Sequence, residues 1–317
     1  MTASRFAFGG SALAGLYEPV TDEQCHAVLD AVWNAGIREF DTAPHYGNGA
    51  SERRLGDYLR SRDGWTLTTK VGRLLSQLRH DDVAEGFASG LPFSQRFDYS
   101  HDGVLRSVED SFQRLGLNRI DALYAHDIGD RGNGTNAEHH INAFLNGGAE
   151  ALSRLKAEGV VSEIGLGVNS VETCLSLIGR IEIDRILIAG RLTPLDPSAA
   201  EELVPLCAEQ GIRLIVGGVF NSGILATGPG PNARYDYLPA SDEIQRRSMK
   251  IKQICDVHGV PLAAMALQFP LRFGSVDKVL IGTSKASSLA RNLAQAVMPL
   301  PDTIWDELAR TGYGATE

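Results

Sequence analysis

The sequence predicts an α/β protein built as a closed (β/α)8 barrel of the TIM type, one domain over residues 1–317, with long loops at its C-terminal rim. Three observations carry that expectation. Short apolar runs of strand length recur along the chain, each followed by a loop and then a helix-like run, and this alternation belongs to parallel strands buried on both faces. With residues 6–8 counted first, the runs make roughly eight units, the number that closes a barrel. The runner-up, a doubly wound open sheet, is disfavoured because no G-x-G-x-x-G opens a helix after an early strand.

After the first strand, Thr21 and Gln24 form a capping box ahead of Cys25, Val28, Leu29, Val32 and Trp33, which share one helical face. Gly36 closes that helix. A strand at 37–40 ends in Asp41, a Gly-rich loop carries Tyr46, a helix occupies about 50–60, and a strand at 67–69 ends in Lys70. Val104, Val108, Phe112 and Leu115 mark the next helix, which stops at Gly116 before a strand at 120–124. A helix bearing Ile141, Leu145, Leu152 and Leu155 stops at Gly159 before a strand at 163–166. Strands at 185–188, 213–216 and 278–281 complete the set, with helices starting near Pro197, Ser241, Pro261 and Ala286 and stops at Gly211 and Gly259. Three connections exceed what closure needs, at about 73–100, 127–140 and 221–240. All follow strands, so all overhang one rim, where long loops shape a substrate pocket.

Hydrophobic residues make up 43% and charged residues 22% of the chain, ordinary values for a globular protein with a sizeable core. The formal net charge of -9 argues against a general grip on nucleic acid or on an anionic membrane, since both need basic patches. A small-molecule partner is the expectation. The start M-T-A-S-R-F-A-F-G-G lacks the apolar core of a signal peptide, and no run approaches the ~18 apolar residues of a membrane span. A cytoplasmic monomer or small homo-oligomer is expected. Cys25, Cys174, Cys207 and Cys255 are widely spaced and form no C-x-x-C pair, so they read as reduced, packed thiols, with no metal site.

The candidate chemistry lies at strand ends, because groups at the carboxyl ends of parallel strands converge on one rim. They are Asp41, Lys70, His126, Asn169, Arg191, the Gly217-Gly218 pair and Gly282, with Tyr46 in the loop after Asp41. Taken singly each has a plainer reading: Asp41 as a turn cap before Pro44, Lys70 as a solvated strand end, His126 as a histidine satisfied by Asp127, Arg191 as a surface arginine. Together they suit proton transfer. A phenol of ordinary pKa ~10 is a poor proton carrier at neutral pH, a neighbouring ammonium favours phenolate and lowers that pKa, and a carboxylate holds the ammonium in place. His126 would orient the same substrate oxygen. Hydride transfer at the adjacent carbon needs a nicotinamide, which no side chain replaces.

The stretches F-D-T-A-P-H-Y-G-N-G-A-S-E-R-R-L-G, T-T-K-V-G, L-Y-A-H-D, G-L-G-V-N, G-R-L-T-P-L-D, F-N-S-G-I-L and V-L-I-G-T-S-K-A-S-S-L-A-R-N-L stand in this order from Phe40 to Leu293. In them the chain resembles the aldo-keto reductases, above all the aldose 1-dehydrogenases and the pyridoxal 4-dehydrogenases. The resemblance implies a catalytic tetrad of Asp41, Tyr46, Lys70 and His126, with Tyr46 as general acid-base. It implies that Asn169 binds the nicotinamide carboxamide and Phe220 stacks on the ring. Gly282, Thr283 and Ser284 would follow the phosphate and ribose, Asn292 would meet adenine, and Gly190, Arg191, Gly217, Ser222, Ser288 and Arg291 would complete the cofactor contacts. Many NADP-preferring members carry a lysine where Gly282 stands and an arginine where Ser288 stands, so NAD is expected, with NADP the alternative if Lys285 or Arg291 supplies the charge. The implied reaction is oxidation of an aldose at its hemiacetal carbon to the lactone. The alternatives are oxidation of pyridoxal to pyridoxolactone, a general aldehyde reductase, or a barrel used as a nucleotide-binding regulatory subunit. Arg73, His80, Asp98, Tyr99, Asp127, Asn133, Tyr235 and Tyr237, on the overhanging loops, are the candidates to read substrate hydroxyls.

Overall fold

The computed structural model describes residues 3–16, 18–78, 87–129 and 136–312. Eight parallel strands close on themselves in chain order: β1 (Phe6–Gly9), β2 (Glu39–Asp41), β3 (Thr66–Val71), β4 (Ala122–His126), β5 (Glu163–Val168), β6 (Arg185–Ala189), β7 (Arg213–Gly217) and β8 (Val276–Ile281), the last pairing with β1. Most of the expected strands extend by one or two residues at their carboxyl ends, so Asp41, Lys70 and His126 sit inside the ladder, which fixes their backbones.

Side chains alternate along each strand between the barrel axis and the helical jacket. The jacket interface is the main apolar core, with Phe8, Phe40, Leu67, Leu123, Leu166, Ile188 and Val216 buried against the helices. The axis holds three tiers of different chemistry. Lowest is a set of charges in which buried Arg185 donates to Glu39 at 2.5 Å and Glu163 at 3.1 Å. The middle tier is apolar, made of Tyr124, Leu187, Ile215 and Leu280. The top tier carries the polar candidates.

The capping box at Thr21 and Gln24 is formed, and helices lie at Ala50–Leu59 and His101–Leu115 as expected. The helical run from Ala137 to Ala157 contains a π-turn at Phe144–Gly148, where Gly148 packs so closely that a Cβ would lie 2.2 Å from the Tyr99 carbonyl oxygen. The helix expected near Pro197 begins later, at Leu203–Gln210. Residues 198–202 form turns instead, because Ser198 N–H bonds back to Asp196 Oδ1 at 3.2 Å and Ala199 N–H to the Arg191 carbonyl at 2.8 Å. Two further helices, Val171–Leu177 and Asp302–Arg310, were not legible: seven residues make barely two turns of periodicity, and Ser170, whose hydroxyl caps the first of them, is a weak signal alone.

Two of the long connections carry β-hairpins over the rim, Arg73–Gln77 with Phe93–Phe97 and Arg234–Tyr235 with Leu238–Pro239. His80 and Asn133 lie outside the described residues. All four cysteines are buried and free. Among the described residues no single helix is long and apolar enough to cross a membrane.

Helix Ala50–Leu59 crosses His101–Leu115 at Gly56, where a Cβ would lie 1.8 Å from the Leu115 carbonyl oxygen. Gly56→Ala is therefore expected to cost about 3 kcal/mol by overpacking, read as a lower denaturation midpoint. An unchanged midpoint would show that the two helices can part freely.

Candidate active site

Four side chains meet at the top tier. Lys70, 1% exposed, spends all three ammonium protons inside the protein: Nζ donates to Asp41 Oδ1 at 2.6 Å, to the Thr42 carbonyl at 2.9 Å and to the Tyr46 phenol oxygen at 3.1 Å. The other oxygen of Asp41 accepts from Thr68 Oγ1 at 2.8 Å. A buried charge is tolerated only when its partners are complete, and here they are. Gly167 on β5 makes the space, since a Cβ there would lie 3.2 Å from Lys70 Cε and 3.2 Å from Tyr124 Cβ.

Tyr46 reaches the ammonium from the loop between β2 and helix Ala50–Leu59, which turns through Gly47 and Gly49 at positive φ. His126 packs edge-on against its ring, with centroids 5.7 Å apart. Behind His126, Tyr99 donates its hydroxyl to the His126 carbonyl at 2.5 Å and so fixes that strand end. His126 Nδ1 is buried and makes no hydrogen bond among the described residues. Nε2 is 3.5 Å from Asp127 Oδ2, too long for a good bond. The plainer reading, a histidine satisfied by Asp127, does not hold.

The electrostatics differ from the sequence expectation in one respect. Burial holds the Tyr46 phenol well above its ordinary range, and the Asp41 and Asp127 carboxylates add to that, against the pull of Arg73. The ammonium does not make the resting phenol acidic, because desolvation penalises phenolate more than the nearby cations favour it. Burial likewise holds His126 well below the usual imidazole range, helped by Arg73, Lys70 and His45, and pushes His45 down to about 3. The resting site thus presents a protonated phenol beside neutral imidazoles.

These groups line one wall of a cavity of about 470 Å³, whose other walls include Ser11, Phe87, Asp127, Asn169, Arg234 and Tyr237. Across the barrel mouth from these four side chains, the ends of β6 and β7 and the residue after β8 are small, Ala189, Gly217 and Gly282. A Cβ at Gly282 would lie 3.3 Å from the Gly9 carbonyl oxygen. The Asn169 side-chain amide makes no hydrogen bond among the described residues and lines the cavity. The loops after β6 and β7 are tied together by Asn221, which accepts from Thr193 Oγ1 at 2.6 Å and donates to the Gly190 carbonyl at 3.1 Å. Gly190, Gly218, Asn221 and Ser222 all have positive φ. A small-residue shelf beside an unpaired amide suits a flat heteroaromatic carboxamide.

A profile of the Aldo/keto reductase family matches residues 5–311. The chain belongs to that family. It is 40% identical to a pyridoxal 4-dehydrogenase from Microbacterium luteolum, over 98% of this chain and 95% of the relative. It is 38% identical to a D-threo-aldose 1-dehydrogenase from Pseudomonas sp, over 95% and 92%. Among solved structures, an aldo-keto reductase from Bacillus halodurans superimposes with a TM-score of 0.74 at 23% identity, covering 99% of this chain and 93% of the other, a likeness of fold. This aldo-keto reductase is an enzyme of the oxidoreductase class, and the reading as a non-catalytic regulatory barrel is set aside.

Of the residues singled out in the sequence, Tyr46, Lys70, His126 and Asn169 come together on the cavity, with Asp41 behind Lys70. Thr283, Ser284, Ser288, Arg291 and Asn292 lie farther along the rim, on the loop after β8 and on helix Ala286–Ala296. Two hydroxyls there already have local partners: Thr283 Oγ1 accepts from Lys285 N at 3.2 Å, and Ser288 Oγ accepts from Arg291 at 3.2 Å. Ser222 Oγ accepts from Tyr237 N at 2.9 Å, and Phe220 is half-buried after β7. Arg191 is no surface arginine: it is 3% exposed and clasps Asp196 at 2.6 Å, Asp236 at 2.7 Å and the Asn169 carbonyl at 2.9 Å. Of the loop groups proposed to read hydroxyls, Asp127 and Tyr237 line the cavity. Asp98 instead caps the turn at Ser100, Tyr99 is buried behind His126, and Tyr235 donates to Asp196 at 2.8 Å. Sequence reasoning missed His45, Phe87, Arg234 and the space-making Gly167. His45 had a signal in its adjacency to Tyr46; Phe87 and Arg234 had none.

Because Lys70 has no slack, Gly167→Ala should displace its ammonium by a few tenths of an ångström and lower kcat about tenfold, with little change in denaturation midpoint. Wild-type turnover in that variant would mean that the Lys70 geometry is not critical.

Proposed function

We propose that this enzyme oxidises an aldose at its hemiacetal carbon to the lactone, with Tyr46 as the proton carrier and NAD as the preferred cofactor. The observation that supports it best is the buried chain Asp41–Lys70–Tyr46, with links of 2.6 and 3.1 Å, ending in a phenol on the cavity wall beside a neutral histidine. A nicotinamide, which the family uses, supplies the hydride donor or acceptor. Asn169 would hold its carboxamide, with Gly190, Arg191, Gly217, Phe220 and Ser222 around the ring end and Gly282, Thr283, Ser284, Ser288, Arg291 and Asn292 toward the far end. Neither Gly282 nor Ser288 offers a cation to a 2′-phosphate, which is why NAD is preferred.

The chain's own residues carry the proton. Tyr46 hands its hydroxyl proton to a carbonyl oxygen in reduction and recovers it from the substrate hydroxyl in oxidation. The Lys70 N–H aimed at the phenol oxygen stabilises the phenolate formed on the way, and Asp41 keeps Lys70 from turning aside. Neutral His126 orients the reacting oxygen. The same set would serve pyridoxal in its hemiacetal form. Phe87 and Tyr237 on the cavity wall suit that flat ring, while the G-R-L-T-P-L-D segment favours the sugar.

Tyr46→Phe should retain cofactor affinity and lose ~10²-fold or more in kcat; undiminished turnover would sink the assignment of Tyr46. With the phenol pKa held well above 10, carbonyl reduction, which uses the protonated form, should stay flat through neutral and mildly alkaline pH. Oxidation, which uses the deprotonated form, should climb throughout that window. A reduction rate that falls between pH 7 and 9 would contradict this.

Assayed side by side with NAD and NADP, L-fucose, L-galactose and D-arabinose should turn over faster than pyridoxal, and NAD should give the higher kcat/KM. Pyridoxal far outrunning every sugar would replace the substrate and leave the proton path intact. A preference for NADP would point to Lys285 or Arg291 as the neutralising charge.

A further inference from the structure

One carboxylate on the cavity wall has no part in the proton path. Asp127 follows His126 directly and holds φ +46°, a left-handed conformation that costs a non-glycine residue on the order of 1 kcal/mol. Its backbone is anchored nonetheless, for its N–H donates to the Gly167 carbonyl at 2.8 Å, continuing the barrel ladder past the strand end. Ile128, next in the chain, is 1% exposed. The strained residue is thus locked from both sides with its side chain on the cavity.

The two carboxylate oxygens are not equivalent. Oδ2 accepts from Arg73 Nη2 at 2.7 Å and lies 3.5 Å from His126 Nε2. Oδ1 makes no hydrogen bond among the described residues. Arg73 is itself 8% exposed, lies over the Phe97 ring at 4.9 Å and comes down from the first rim hairpin, which holds it against the carboxylate. A charge-assisted pair fixes the orientation of Asp127 and leaves this cavity-lining residue with a second carboxylate oxygen that has no partner among the described residues, one residue on from the imidazole expected at the reacting oxygen.

The charge around it decides what that acceptor takes. Asp41 and Asp127 are already paired with Lys70 and Arg73, so a cationic donor gains little there. A neutral hydroxyl is the better match. We propose that Asp127, oriented by Arg73, reads a hydroxyl on the carbon next to the reacting one, and so makes the site specific for α-hydroxylated carbonyl substrates over plain aldehydes. This rests on the hydride-transfer reading above.

Lactaldehyde and propanal differ by that hydroxyl alone, so the ratio of their kcat/KM values in NADH-dependent reduction isolates it. The wild-type enzyme should favour lactaldehyde at least tenfold. In Asp127→Asn and in Asp127→Ala the ratio should fall by about tenfold or more, the usual weight of a hydrogen bond to a charged group. Each preparation is its own control, because both aldehydes meet the same folded protein. Equal losses on the two aldehydes, or loss of both, would overturn the assignment and make Asp127 a positioning residue acting through His126. A wild type that reduces both equally well would overturn it too. A wild type that reduces no aldehyde would instead overturn the hydride-transfer reading itself.

Discussion

The site depends on a single buried ammonium. Lys70 lies inside the barrel with all its protons committed, one to Asp41, one to the Thr42 carbonyl and one to Tyr46. Removing such a group from water costs several kcal/mol unless every proton finds an acceptor, so its three partners are conditions of folding as much as of chemistry. Asp41 comes from the end of β2, Thr42 from the residue after it and Tyr46 from the loop beyond. The ladder therefore positions the cation, and the cation in turn draws the loop over the barrel mouth. Gly167 supplies the remaining condition, which is room.

The tiers below make this arrangement affordable. An apolar layer of Tyr124, Leu187, Ile215 and Leu280 separates the polar upper tier from the charges around Arg185, Glu39 and Glu163 at the barrel floor. That layer keeps water from reaching the tetrad from beneath and lowers the local dielectric. The low dielectric raises the phenol and lowers the imidazoles. What burial takes away in phenol acidity it would return in strength of interaction on the proposed proton path, since the Lys70 N–H would act on a phenolate in a dry site far more strongly than in water.

The mouth divides by side-chain size. One half carries Asp41, Tyr46, Lys70, His126 and Asp127, polar and crowded; the other carries Ala189, Gly217 and Gly282, small enough to leave a shelf. The hairpins at the rim close the ends, the first through the Arg73–Asp127 pair and the second through Arg191, which clasps Asp236 of the hairpin turn and Asp196 after β6. Each hairpin is thus tied to the rim by a buried arginine, so the loops that frame the cavity are extensions of the scaffold.

The sequence by itself determined the barrel and named four groups, Asp41, Tyr46, Lys70 and His126, that meet at one rim. Strand-length apolar runs alternating with helices admit few folds, and Asp41, Lys70 and His126 stand where such strands end. Their convergence followed from topology, with no need of side-chain detail. Only the tertiary structure decided how the groups behave there. The direction of the Tyr46 shift depends on how much water the loops exclude, which no local pattern encodes. The burial of Arg191 depends on Asp236, 45 residues away in sequence, and the pairing of Asp127 on an arginine from a hairpin that is distant along the chain. Separating Asp127 and Tyr237, which line the cavity, from Tyr99 and Tyr235, which brace it, needed the same long-range contacts. Residue type and spacing name the chemical groups, whereas dielectric, pairing and orientation arise from contacts between segments that the sequence keeps apart.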